Sequence, residues 1–433
     1  MTPVLGSSRY RKLTFFLCVL AGSAWGASGC SGTGEPMAGR GSGGTGSGSG
    51  SAVAVGGDVV YPVVGGAGSG ADACGEPPNT TGEFSRPALL AAAASCASHL
   101  TCELASTVEA LGSRVTAYTK QPSEENRQQA QAAWRSAMLA WSGLAPFEFG
   151  PLVGVATDKY HGRGIGAYIH SWPAPNLCEV TKQLVSRSYD GDGMLRVPPG
   201  ARGLFALEAL LFTDMSEAGC SSASPTTAAW NEKPDDERLK ARLDYAKAVV
   251  DDVYRRSQEL VRVWSKSGED FGKTLVDAKG YGGVDEALSV VAWSLLYVYL
   301  EVRDGKVAPF AGATSSGPNP ETPFAHLDRE AVLANLRAFR SLFQGCAEGE
   351  GIGFDDWLTQ ANAVDLRDDM SLALDRIEET ATALPPFHLA SEGQMKALYD
   401  DLKVLTDLLK SRFLGPGGPL NIKLPASAAS DTD

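Results

Sequence analysis

A chain of 433 residues with a net charge of −13 is too acidic to favour nucleic acid or an anionic lipid surface as a partner. Without a leader whose only charges are Arg9, Arg11 and Lys12, the balance falls to −16. About 350 residues follow the N-terminal low-complexity region, enough for two packed cores or one extended one.

The chain opens on a targeting pattern. Arg9, Arg11 and Lys12 precede the apolar residues 13–24, a run too short to span a bilayer. Ala27-Ser28-Gly29-Cys30 then resembles a bacterial lipobox, so Cys30 is the expected lipidation site, with a plain secretory signal as the alternative. Ser31 resembles the sorting signal of outer-membrane lipoproteins, so residues 1–30 predict a lipid-anchored, periplasm-facing protein, with the outer membrane favoured. Residues 31–78 are rich in glycine and serine and read as a disordered tether. No later stretch reads as a transmembrane helix.

Helical periodicity dominates the rest. Helices are expected over about 86–119, 124–144, 200–214, 239–264, 285–304, 328–343 and 365–383. A last helix follows Ser391, with Ser391 and Gln394 as its capping box. The fold class is all-α, two antiparallel helical-bundle domains at 79–230 and 231–425, with 426–433 as a disordered tail. Residues 144–178 break the pattern with glycine and aromatic side chains, and loops of that length are often functional.

Six cysteines remain beyond the leader: Cys74, Cys96, Cys102, Cys178, Cys220 and Cys346. An even number in an exported chain predicts disulfides. Cys96 and Cys102 fall about 9 Å apart on one helix, too far to bond to each other. Cys178 and Cys220 flank the segment holding Glu208 and are the expected pair.

That segment, Gly203-Leu-Phe-Ala-Leu-Glu-Ala-Leu-Leu-Phe212, is apolar on every side except at Glu208. A buried carboxylate needs a partner, either an arginine such as Arg163 or Arg202, a hydrogen-bond network or a metal. Glu148, Asp158, His161 and His170 in the irregular connection, with Glu321, are the candidates to complete a metal or ligand site around Glu208. No phosphate loop, dinucleotide fingerprint or His-Glu-x-x-His motif is present.

These motifs resemble the imelysin family. Trp134 to Trp141 with Phe147-Glu-Phe-Gly-Pro151, then Ser171-Trp172-Pro173, follow the family's order. Gly203 to Phe212 is similar to its Gly-x-His-x-x-Glu helix, with Phe205 at the histidine position. Leu300-Glu301 with Arg303-Asp-Gly-Lys306, and Glu321-Thr-Pro-Phe-Ala325, resemble later blocks. The resemblance implies two helical bundles and a link to iron acquisition, with iron as the implied cofactor. Some members are metallopeptidases, but phenylalanine can neither ligate a metal nor move a proton. The leading expectation is therefore a non-catalytic binding protein accessory to iron or haem-iron acquisition. Its partners would be the membrane, through the N-terminal lipid, and iron-uptake envelope proteins. The alternatives are a metallopeptidase with a rebuilt metal site and a structural, partner-docking envelope lipoprotein.

Overall fold

The computed structural model describes Cys74, Pro78 and residues 80–422 except 316, 347–349 and 416. The lipobox with Cys30 lies outside the described residues, as do most of the tether and the tail at 426–433.

Helices α1 (Arg86–Lys120) and α2 (Glu124–Leu144) match the spans expected from their periodicity. Each is opened by a serine: Ser85 accepts the N–H of Ala88 at 3.2 Å, and Ser123 that of Asn126 at 3.2 Å. Glu124 and Glu125 favour the positive end of the α2 dipole. An irregular connection holding α3 (Gly166–Ile169) leads to α4 (Leu177–Ser186) and α5 (Gly203–Phe212). Next come α6 (Pro225–Asn231), α7 (Asp235–Trp264), α8 (Phe271–Val276) and α9 (Val284–Trp293). The single helix expected at 285–304 changes its winding instead. After α9 comes a 3-10 turn, Ser294–Leu296, and then a π-helical segment, Val298–Val307. Helices α10 (Asp328–Gln344), α11 (Phe354–Gln360), α12 (Val364–Ala383) and α13 (Glu392–Leu408) complete the chain, and the Ser391/Gln394 capping box is present. Apart from an isolated bridge at Glu350, the described residues contain no strand, as an all-α fold requires.

Helix α1 is the centre of the packing, lying against α2, α7, α8 and α9. Contrary to expectation, it is long and apolar enough by composition to cross a membrane. Its alanines carry that hydropathy, and 56% of its apolar window is buried inside the protein, as for a core helix. Leu90, Leu104, Val108 and Leu111 are fully buried, each stabilising by about 1.5–3 kcal/mol. Helix α2 packs on α5 and α10, α5 on α7, and α13 on α12 and the π-helical segment. Described helices before and after residue 230 thus pack directly on one another, α2 on α10 and α1 on α7, α8 and α9.

Three disulfides staple this body: Cys74–Cys102, Cys96–Cys346 and Cys178–Cys220. The last is the pair expected across the Glu208 segment, and Cys96 and Cys102 each bond elsewhere.

Candidate functional site

Helix α5 is buried along almost its whole length, so its ends must be satisfied by protein. At its C-terminus Arg127 Nε and Gln131 Nε2 donate to the Leu211 carbonyl at 2.8 and 2.9 Å. Arg242 donates to the carbonyls of Leu210, Thr213 and Asp214. At its start Gly203 has φ +71°, and a Cβ there would lie 2.5 Å from the Ile169 carbonyl oxygen. Only glycine lets α5 begin this close to the turn carrying Ser171-Trp172-Pro173.

Glu208, fully buried, points from α5 to a loop more than a hundred residues away. Its Oε1 accepts the backbone N–H groups of Phe324 (2.9 Å) and Ala325 (2.7 Å). Burial pushes its pKa up to about 8; the two N–H groups oppose that rise, while Asp328 and Glu321 add to it. The arginine partners considered from sequence are committed elsewhere. Arg202 forms a buried ion pair with Asp252 on α7, and Arg163 pairs with Glu269 at the surface. The orientation of each follows its backbone: Arg202 precedes α5 on the α7 side, and Arg163 lies in the irregular connection.

The same loop carries Glu321. Asp328 Oδ1 accepts the N–H groups of Glu321 (2.7 Å) and Thr322 (3.2 Å), fixing the loop's start. Glu321 is 3% exposed and forms an ion pair with Lys306 at 2.8 Å, with His170 Nε2 3.3 Å from its other oxygen. Burial alone would raise its pKa, but Lys306 and His170 outweigh it and hold the carboxyl at about 2. Lys306 also donates to Asn335 Oδ1 at 2.8 Å and Tyr297 Oη at 3.3 Å.

His170, Glu321 and Glu148 line one cleft of about 410 Å³, together with Tyr297 and Glu301 from the 3-10 and π-helical run and Trp172 from the Ser-Trp-Pro turn. Burial, followed by the nearby charge of Glu301, pushes Glu148 up to about 8. Burial also raises Glu301, with Lys306 pulling it down and Glu321 pushing it up. Of the sequence candidates, the structure thus brings Glu148, His170 and Glu321 together, with Glu208 holding the loop behind them. Asp158 and His161 sit elsewhere. Asp158 accepts the N–H groups of Gly150, Tyr160 and His161 and the hydroxyl of Tyr281, so it organises the irregular connection. His161 Nε2 lies 2.9 Å from the Lys279 carbonyl, with its ring against Phe271 and Tyr281. Sequence reasoning missed Glu301 and Lys306 as site residues. They lie five apart, the hydrogen-bond step of the π-helical segment they share, which a search at 3.6 residues passes over.

A transition metal at the α5 motif does not fit these donors. Phe205 offers no ligating atom, and one oxygen of Glu208 is occupied by two N–H groups. No group of three or more His, Cys, Asp or Glu side chains among the described residues could hold an ion.

The class defined here is an all-helical protein in which one buried glutamate helix supports a distant loop beside an acid-lined cleft. The family model for imelysin, Peptidase_M75, matches residues 99–409, and the chain belongs to the imelysin family. Among solved structures, an imelysin-like protein from Psychrobacter arcticum 273-4 is similar, with a TM-score of 0.59 at 16% identity over 76% of this chain and 95% of that one. A protein described as a "putative iron-regulated protein A precursor", from Parabacteroides distasonis ATCC 8503, gives 0.55 at 17% identity over 77% and 96%. At such identities the likeness speaks for the fold alone. No curated protein matches the chain.

Proposed function

We propose that this imelysin-family protein binds its target rather than cleaving it, as a lipid-anchored, periplasm-facing accessory to iron or haem-iron acquisition. The observation carrying the binding reading is the commitment of Glu208. With Phe205 at the histidine position and two backbone N–H groups on Oε1, the carboxyl ties α5 to the distant loop and lacks a neighbouring imidazole for metal-assisted hydrolysis. The iron role draws on the family and on the description of the Parabacteroides relative. It concerns the system the protein serves rather than an ion held on α5. The lipid anchor draws on the lipobox at Cys30.

Three measurements test the reading. Incubated with unfolded peptide and zinc or iron, the protein should leave the peptide intact; metal-dependent cleavage abolished by Glu208→Gln would restore the peptidase alternative. Expression should rise under iron limitation, and an unchanged level would remove the iron role. Cys30→Ser should move the protein from the membrane fraction to the soluble one.

A further inference from the structure

The cleft contains two carboxyls that the fold does not use. Glu148 and Glu301 both line it, and neither makes a hydrogen bond or ion pair with a described residue. The neighbouring acids are engaged: Glu208 through Oε1 alone to two N–H groups, its Oε2 buried without a partner, Asp328 to two more, and Glu321 to Lys306. A second, independent set of residues lines the same cleft. His170 and Ser171 are 6% and 8% exposed, and His170 Nδ1, Ser171 Oγ and Trp172 Nε1 are buried without a hydrogen-bond partner. Orphaned buried polar atoms are rare in native proteins, and here three of them border a cavity with two idle acids.

Lys306 shows what these walls accept. Its ammonium lies 5.5 Å from the ring centroids of both Trp172 and Tyr297 while Glu321 neutralises it. Aromatic faces and a carboxylate together form a recognition site for an organic cation. Because Lys306 and Glu321 cancel, Glu148 and Glu301 remain for a second cation.

We propose that the cleft binds a guanidinium or primary ammonium group between Glu148 and Glu301, while Ser171 turns its unpartnered Oγ into the cleft to donate to a carbonyl or carboxylate of the same ligand. That is the chemistry of a basic amino-acid residue, free or within a peptide. A bare metal ion suits the cleft less well. Two carboxylates supply too few donors for iron, and His170 turns Nε2 toward Glu321. The inference rests on the protein being a binder, and it adds the ligand class.

The groups facing Glu148 and Glu301 are Glu321, His170, Lys306 and Tyr297, so cation binding is coupled to protons on the two idle carboxyls. A bound cation stabilises both carboxylates, and each proton held before binding passes to solvent. Calorimetry with argininamide, in two buffers of different ionisation enthalpy at pH 7, should show binding with net proton release. Glu148→Gln and Glu301→Gln should each weaken it by about 10- to 100-fold while keeping the wild-type melting profile. Argininamide that fails to bind, or binds equally well to wild type and both variants, would overturn the proposal. Ferrous or ferric ion bound to wild type and lost in Glu148→Gln, with no argininamide binding, would overturn it and leave the binding reading intact. Peptide cleavage dependent on Glu148 would overturn both.

Discussion

At neutral pH the carboxyl of Glu208 keeps its proton, because burial with only two N–H donors for company pushes its ionisation up to about 8. In the unfolded chain the same group ionises near 4.5, so between those values the folded state binds more protons and stability falls as pH rises. Glu208→Gln cannot ionise but still offers an oxygen to both N–H groups. Its stability relative to wild type should therefore improve by about 3 kcal/mol between pH 4 and pH 7, read from urea midpoints at the two pH values. A difference independent of pH would mean that Glu208 is charged in the fold. Glu321 has the opposite sign. Held at about 2, it contributes stability above its unfolded value of 4.5 and loses it as pH falls toward 2. Lys306→Met would leave that buried carboxylate with only His170 beside it, at a cost of about 3 kcal/mol at pH 7. The deficit should shrink at pH 3, where the variant's Glu321 is neutral, and denaturation at both pH values checks it.

At the scale of elements, the site depends on how α5 and the π-helical segment are seated. Gly203→Ala would drive a Cβ into the Ile169 carbonyl oxygen at 2.5 Å and should cost about 2–4 kcal/mol in urea unfolding. Gly154→Ala, where an added Cβ meets nothing within 4 Å, is the control and should be near neutral. The long helices were legible because their apolar residues repeat every 3.6 positions over many turns. So was the burial of Glu208, since an apolar helix with one acid has nowhere else to go. The partners of Glu208 were not legible, because backbone N–H groups leave no mark on a sequence. Glu301 and Lys306 were hidden by a local change of winding, and Asp158 and His161 belong to turns whose geometry no periodicity describes. In α1 the run of alanines concealed a hydropathy high enough to imitate a membrane helix.

At the scale of the whole molecule, one cross-link spans most of the chain. Cys96–Cys346 closes a separation of 250 residues and ties α1 to the segment beyond α10. The double variant Cys96→Ser/Cys346→Ser should lose about 3–5 kcal/mol in urea unfolding, more than the pair Cys178→Ser/Cys220→Ser, whose separation is 42. Equal losses would show that native contacts, rather than loop closure, set the benefit. The order of the bonds has a consequence for biogenesis. Cys96 lies between Cys74 and Cys102, so the first two bridges interleave along the chain. A chain oxidised in the order of its synthesis, each cysteine joining the next to emerge, would make 74–96, 102–178 and 220–346, and not one of these is native. Wherever this protein matures, its yield will depend on a thiol isomerase that reshuffles early bonds, or on a delay that keeps Cys96 reduced until α10 has been made.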